Sequence, residues 1–241
     1  METAASHSQS PHPLELAAYE TACLVAAKRR KTRYSVLTGA QKEKLIIMSS
    51  AIDVARRVID TEIKGLKALR ESLSDEFTRA ITNLNQINGR VFVTGVGKSG
   101  HVARKIAATL ASTGTPAIYI HPTEASHGDM GMMTKDDAVI ALSRSGETRE
   151  LSDITAYTQR FDIPLIALTS KADSALARAA KHILLLPDAD EACAETRAPT
   201  TSALLQMAMG DALAVALLEA KGFTASDFKA FHPGGSLGAS C

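Results

Sequence analysis

Short, nearly continuous apolar runs recur along the second half of the chain and alternate with longer segments of helical period. Such runs are typical of strands covered on both faces, and the segments between them are long enough to form crossover helices. The pattern therefore predicts an α/β fold, a three-layer open sheet of five parallel strands with helices on both faces. The predicted strands are residues 90–94, 117–120, 138–142, 165–168 and 183–186.

Helical periodicity is clearest where apolar residues recur at three- and four-residue steps from Ile52 to Phe77, which predicts N-terminal helices beginning at Ser49. Ser74 is followed by two acidic residues, as an N-cap would be, so this region is predicted to be a pair of helices that ends at Asn88 and Gly89. The later predicted helices are residues 100–113, 147–161, 174–180 and 201–221.

The first 47 residues differ in character from the rest of the chain. They begin with a Ser/His/Pro-rich stretch and contain a basic cluster at residues 28–33. A polar, weakly patterned segment of this kind does not bury enough apolar surface to fold, which predicts a disordered extension over residues 1–47. Residues 48–241 are then expected to form the folded domain.

Composition and charge narrow the classes of protein. The hydrophobic share is 45%, the charged share is 22% and the net charge is +1. These are ordinary globular values, and they give no basis for a nucleic-acid or membrane partner. No uninterrupted apolar run approaches the roughly 18 residues that a membrane helix requires, and the N-terminus lacks the pattern of a secretory signal. Three cysteines without C-x-x-C spacing suggest neither disulfides nor a zinc site. A cytoplasmic protein is expected.

Polar residues follow the predicted strands, at the positions where ligands bind in open α/β sheets. The first strand leads into GVGKSG (residues 95–100), where glycines and a helix N-terminus would admit an anion. This turn matches neither the Walker form nor the dinucleotide fingerprint, and a tight turn alone would also use glycine. The third strand leads into SRSGET (residues 143–148), whose three hydroxyls exceed the need of one helix cap and favour a phosphomonoester.

Two histidines and two acidic residues follow the second strand, within HPTEASHGD (residues 121–129). His121 and His127 lack the i, i+4 spacing of a zinc helix, so contact with a substrate is favoured over a metal site, and a solvated loop is the simpler alternative. Glu191 and His232 are two further candidates late in the chain, although a lone histidine is usually structural.

Seven motifs together resemble the sugar isomerase (SIS) domain family, in its arabinose 5-phosphate isomerase branch, over about residues 48–238. They are GKSGH (97–101), ASTGTP (111–116), HGD (127–129), SRSGE (143–147), APTTS (198–202), MGDALA (209–214) and HPGGSLG (232–238). The resemblance implies an SIS-type fold and a homotetrameric aldose–ketose isomerase that needs no cofactor. It implies interconversion of D-ribulose 5-phosphate and D-arabinose 5-phosphate through an enediol(ate), feeding Kdo and lipopolysaccharide biosynthesis.

Specific residues follow from the same resemblance. It implies four catalytic residues: Lys98, Glu150, Glu191 and His232. The expected substrate-binding residues are Gly97, Ser99, Gly114, Thr115, His121, His127, Ser143, Ser145 and Thr148. His121 is also where an inhibitory divalent ion such as zinc would bind. Family members commonly continue into a pair of CBS regulatory modules, and because this sequence ends at Cys241, either a naturally short form or a truncated one is expected.

The chemistry of this isomerisation requires proton transfer beside a carbonyl, for which an imidazole or a carboxylate is suited. We expect His232 to transfer protons with Glu150 or Glu191 as its partner, while Lys98 stabilises the oxyanion or the phosphate. The order of acid and base stays open. Because Glu191 and His232 lie far along the chain from the sheet turns, we expect them to reach a neighbouring subunit's site.

Two alternatives belong to other classes of function. SIS domains also act as non-catalytic sugar-phosphate-binding modules in regulators, and a sibling isomerase would act on another ketose phosphate. The N-terminal extension contains no convincing helix-turn-helix, which favours an enzyme over a regulator.

Overall fold

The computed structural model describes residues 39–193 and 195–234, with side chains from Ser50 onward. Most of the predicted extension, residues 1–38, lies outside the described residues. Helix α1 (Gly39–Ser72) begins earlier than the Ser49 expected from its apolar stripe. The chain divides at Arg56 into two compact units, and the fold described below is that of the second.

Five parallel strands form one sheet in the order β2-β1-β3-β4-β5, which confirms the predicted fold class. The residues of β1, β3 and β4 are all buried, as their continuous apolar sequences predict. Strands β1 and β5 are each displaced by one residue from the prediction. The strands are β1 (Val91–Gly95), β2 (Ala117–Ile120), β3 (Ala138–Leu142), β4 (Leu165–Thr169) and β5 (His182–Leu185).

Helices connect the strands, and the largest difference from prediction among these connecting helices lies after β3. The segment expected to be helical over residues 147–161 begins as a 3₁₀ turn (Arg149–Leu151), because residues 143–148 form a turn of their own. Ser74 caps its helix as predicted, its side chain accepting from the N–H of Glu76. The remaining helices are α2 (Asp75–Gln86), α3 (Gly97–Ser112), α4 (Pro122–Ser126), α5 (Ser152–Arg160), α6 (Ala175–Ala179), α7 (Thr201–Ala220) and α8 (Ala225–Phe231).

Each face of the sheet carries its own apolar core, because successive residues of a strand point to opposite faces. Val93 faces a core that includes Ile106 of α3 and Leu213 of α7. Phe92, the preceding residue, faces a second core that includes Ile154 of α5. The predicted helices on both faces are therefore confirmed.

Helix α7 is apolar on all sides. Its mean hydropathy is 1.5, and by length and composition alone it is the one helix among the described residues that could cross a membrane. The expectation that no uninterrupted apolar run reaches this length holds, because Asp211 and Glu219 interrupt the helix. Half of the helix is buried inside the protein, where Leu205, Leu213 and Leu217 pack into the core, so its apolar character is explained by a core helix.

The parallel sheet has two unlike edges, which we call the carboxyl edge and the amino edge after the strand ends that lie there. Helices α3 and α7 both begin at the carboxyl edge and run along each other to the amino edge. Lys105 of α3 forms an ion pair with Asp211 of α7 between those two ends. At the amino edge, Nζ of Lys221 lies 3.4 Å from the carbonyl oxygen of Gly114.

Candidate active site

Strand register brings three connecting segments together at the carboxyl edge. Gly95 pairs with Leu142 across β1 and β3, so the turns that follow these two strands start side by side. Thr94 pairs with Ile120 across β1 and β2, which places His121 beside Gly95. The strand order changes direction between β1 and β3, and in sheets of this order ligands bind at that switch point.

The turn after β1 presents an open helix N-terminus. Helix α3 begins at Gly97, earlier than predicted, and its N-cap residue Val96 makes no side-chain hydrogen bond to it. The first N–H groups of α3 therefore have no intrahelical acceptor, and the helix dipole adds partial positive charge there. Lys98 is exposed and Ser99 is half-buried at this position. These groups suit a phosphate or another oxyanion.

The turn after β3 is held by its own hydroxyls. Oγ of Ser143 lies 2.8 Å from Oγ1 of Thr148 and accepts a hydrogen bond from the N–H of Gly146 at 3.0 Å. Gly146 has a φ of +68°, and a β-carbon there would collide with the Ser174 side chain. The N–H groups of Ser145 and Thr148 donate to none of the described residues. Oγ of Ser145 accepts a hydrogen bond from the N–H of Glu147 at 3.2 Å. The turn thus offers backbone amides to an anion, while all three of its hydroxyls support its shape.

Glu150 and Glu191 both lie at the carboxyl edge, in different environments. Glu150 is exposed on the 3₁₀ turn that follows the β3 turn. The side chain of Glu191 is only 3% exposed. Its Oε2 accepts from the N–H of Thr200 at 2.8 Å, the Thr200 hydroxyl at 3.1 Å and the N–H of Ser202 at 3.2 Å. Glu191 therefore caps the N-terminus of α7.

The surroundings of Glu191 favour its ionised form. Burial raises the pKa of Glu191, but hydrogen bonds from Ser202 and Thr200 outweigh that effect and hold the pKa below its ordinary value. A carboxyl group with a lowered pKa is ionised at neutral pH and is a weak source of protons. This environment fits an orienting or electrostatic group better than a general acid.

Arg144 contacts Glu191, although no role for this arginine was predicted from the sequence. Its Nη1 lies 3.1 Å from Oε1 of Glu191. The two groups form an ion pair, but their relative orientation does not meet the geometry of a hydrogen bond. Nη2 of Arg144 lies 3.6 Å from Asp188 and 3.4 Å from the carbonyl oxygen of Ala189. The one clue in the sequence was the position of this arginine between Ser143 and Ser145, inside the predicted phosphate turn.

His121 lies at the carboxyl edge but does not fit a metal site. Its Nδ1 accepts a hydrogen bond from the N–H of Thr123 at 3.2 Å and caps α4. A neutral imidazole whose Nδ1 accepts carries its proton on Nε2, which leaves no ring lone pair for a metal ion. No three histidine, cysteine or acidic side chains of the searched, described residues come close enough to hold a metal. His127 is exposed at the end of α4.

Gly114, Thr115 and His232 belong to the amino edge. Gly114 and Thr115 precede β2, and Phe223 packs against Gly114. His232 ends α8, with Nδ1 2.9 Å from the carbonyl oxygen of Phe228 and its ring stacked on the Phe228 ring at 4.0 Å. Phe231, the preceding residue, has its ring centroid 5.4 Å from that of Phe223.

One chain does not bring the amino-edge residues to the carboxyl-edge turns. Glu191 binds the start of α7, whereas Lys221, directly after α7, contacts Gly114. Helix α7 has 20 residues, a length of about 30 Å. His232 lies near Gly114 through the Phe223 and Phe231 rings, so it is far from Glu191 of the same chain.

The switch point, with free backbone amides and carboxylates at the same sheet edge, defines an α/β protein whose site suits an anionic ligand. The SIS domain family model matches residues 83–216, and the chain belongs to this family. The resemblance seen in the sequence motifs is therefore confirmed.

Curated relatives share about half of their aligned residues with this chain. The arabinose 5-phosphate isomerase KdsD of Pseudomonas aeruginosa is 51% identical over 187 residues, which cover 78% of this chain and 57% of that relative. The Escherichia coli K12 protein of the same name is 48% identical over 183 residues, or 76% of this chain and 56% of that relative. The chain spans a little over half the length of these relatives.

Solved structures agree with the fold. The structure of E. coli CFT073 c3406 in complex with A5P is 40% identical, with a TM-score of 0.74, and the match covers 77% of this chain and 98% of that one. The Vibrio vulnificus NanR protein complexed with ManNAc-6P is 20% identical, with a TM-score of 0.64, over 78% of this chain and 69% of that one. The second likeness concerns the fold alone.

Proposed function

We propose that this chain is an aldose–ketose isomerase that interconverts D-ribulose 5-phosphate and D-arabinose 5-phosphate. The observation that carries the proposal is the pair of amide-lined turns at the β1/β3 switch point, beside Lys98 and Glu150. The names of the relatives support the substrate: the P. aeruginosa protein is an arabinose 5-phosphate isomerase, and c3406 was solved with A5P.

The reaction moves a carbonyl between C1 and C2 of the sugar phosphate. A base removes the proton next to the carbonyl, an enediolate forms, and a proton returns to the neighbouring carbon. The N–H groups of the two turns bind the phosphate, and Lys98 stabilises the oxyanion or the phosphate. Glu150 is the exposed carboxylate at this edge and the better candidate base, because Glu191 is engaged in capping α7.

His232 completes the site from a neighbouring copy of the chain. Two observations support this step: His232, Gly114 and Thr115 lie at the amino edge of their own chain, and apolar surface is exposed on the elements nearby. Phe231 of α8 is 54% exposed and Val215 of α7 is 50% exposed. Burying such side chains between copies would stabilise an oligomer, and a homotetramer is the assembly we propose.

Cellular context follows from the same proposal. The enzyme works in the cytoplasm on soluble sugar phosphates and needs no cofactor, since the isomerisation transfers only protons. Its aldose product feeds the synthesis of Kdo for lipopolysaccharide. A divalent ion is not assigned to His121, because the Nδ1 atom of that ring is already a hydrogen-bond acceptor.

Turnover of D-ribulose 5-phosphate tests the proposal. The purified chain is incubated with this ketose phosphate in D₂O, and the products are followed by NMR. We expect D-arabinose 5-phosphate with solvent deuterium at C2, because a proton that passes through a side chain exchanges with solvent. Lys98→Ala should abolish most of the conversion, while Lys135→Ala, which removes an exposed lysine ahead of β3, should leave it unchanged.

Two results would overturn this assignment. Tight binding of the sugar phosphate without any conversion would favour the non-catalytic binding module. Faster conversion of a hexulose or heptulose phosphate than of ribulose 5-phosphate would favour a sibling isomerase.

A further inference from the structure

Arg144 joins two segments that are distant in sequence. Its backbone belongs to the β3 turn, where its carbonyl oxygen accepts from the N–H of Ser170 at 3.0 Å and from the Thr169 hydroxyl at 3.2 Å. Its side chain reaches across to the segment after β5, where it contacts Asp188 and Glu191. The guanidinium group therefore connects the phosphate turn to the carboxylate that caps α7.

The two carboxylate oxygens of Glu191 differ in their hydrogen bonds. Oε2 receives three hydrogen bonds from Thr200 and Ser202. Oε1 is buried and has no hydrogen-bond partner among the described residues, although Nη1 of Arg144 lies 3.1 Å away. Arg144 is thus the cation that faces the carboxylate oxygen without a hydrogen bond.

A cation beside a buried carboxylate affects both its charge and its orientation. Taking a carboxylate out of water is unfavourable unless an opposite charge and hydrogen bonds compensate. Among the described residues, the other charged group that contacts this pair is Asp188, at 3.6 Å from Arg144, and Lys171 lies beyond it at 3.8 Å from Asp188. Asp188 is 73% exposed, so water screens it and Arg144 is the dominant charge at Glu191.

We propose that Arg144 is a positioning residue of the isomerase, which holds Glu191 with its Oε1 toward the phosphate turn. This inference rests on the proposed function. Arg144 acts through Glu191 and does not itself bind the phosphate. The distinction has a kinetic consequence, because loss of a phosphate ligand raises KM, whereas misplacement of a group needed in the transition state lowers kcat.

The test compares Arg144→Gln and Arg144→Lys with the wild-type chain in ribulose 5-phosphate turnover across a range of pH. We expect Arg144→Gln to lower kcat by about tenfold or more with KM within about threefold, since transition-state stabilisation is lost. The acid limb of its kcat profile should move to higher pH, because removing the cation makes Glu191 easier to protonate. Arg144→Lys should recover part of the loss.

Arg160→Gln is the matched control, because it removes an exposed arginine at the end of α5, on the amino edge. It should leave kcat and its pH profile unchanged. A higher KM for Arg144→Gln with unchanged kcat would overturn the inference in favour of a direct phosphate ligand. A lower melting temperature of Arg144→Gln with unchanged kcat and pH profile would show that Arg144 only stabilises the fold. Wild-type turnover in the same assay reports separately on the proposed function.

Discussion

Phe223 packs directly against Gly114, at a point where a β-carbon on the glycine would collide with the aromatic ring. This contact fixes the segment after α7 at the amino edge of the sheet. Phe223 also contacts Phe231, so the chain that leads to His232 is held at the same edge. The packing of one glycine therefore determines on which side of the subunit His232 lies.

Gly114→Ala tests this packing. Gly114 has a φ of +88°, which is unfavourable for alanine, and the added methyl group would displace the Phe223 ring. We expect the free energy of unfolding to fall by roughly 2 to 6 kcal/mol from backbone strain and overpacking. Urea denaturation followed by circular dichroism measures the change. Gly131→Ala is the control, because nothing lies within 4 Å of its added β-carbon, and an equal loss there would contradict the argument.

Subunit mixing tests whether the site is shared between copies. Lys98 and His232 lie at opposite edges of one chain, so each site should combine Lys98 of one copy with His232 of a neighbouring copy. We expect a Lys98→Ala subunit and a His232→Ala subunit to be inactive alone. After unfolding, mixing and refolding, the pair should recover about a quarter of wild-type turnover, as random assembly in a symmetric oligomer gives. Recovery of no activity would mean that each subunit is self-sufficient.

The sheet was predictable from the sequence because its strands are buried on both faces. Continuous apolar runs identified all five strands to within one residue, and the residues after them located the switch point. The turn after β3 was less predictable. Ser143 and Thr148 were expected to bind phosphate, yet their hydroxyls bond to each other, a pairing that depends on the turn conformation around Gly146.

The positions of the candidate residues near the C-terminal end of the sequence were the least predictable. Glu191 and His232 were both expected at a neighbour's site because both are far along the chain, but Glu191 returns to its own carboxyl edge. The difference comes from α7, whose length carries the chain from one edge to the other. Arg144 was overlooked because its partners, Asp188 and Glu191, are brought to it only by the parallel packing of β3, β4 and β5.

Ser143→Ala tests the internal support of the phosphate turn. The change removes the acceptor of the Gly146 N–H and the partner of the Thr148 hydroxyl. A buried group that loses its partner costs about 1 to 3 kcal/mol, so we expect KM for ribulose 5-phosphate to rise by about fivefold or more. Thr155→Ala is the control, because among the described residues that hydroxyl bonds only to the Ser152 carbonyl oxygen on α5. An unchanged KM for Ser143→Ala would show that the turn keeps its shape without this hydroxyl.

Glu191→Gln tests the lowered pKa of this carboxyl through stability. Ionised Glu191 accepts three hydrogen bonds in the folded protein, so its folded-state pKa lies below the ordinary value of 4.5. The carboxylate therefore stabilises the fold above pH 4.5, and that contribution is lost as the pH falls through the lower folded-state value. We expect Glu191→Gln to be about 1 to 3 kcal/mol less stable at pH 7, with the difference shrinking below pH 4.5.

Thermal unfolding at a fixed protein concentration and several pH values measures this difference in stability, with the exposed Glu195→Gln as control. A stability difference that stays constant from pH 7 to pH 3 would contradict the prediction, because an amide in place of a carboxylate would then be acting through shape and not through charge.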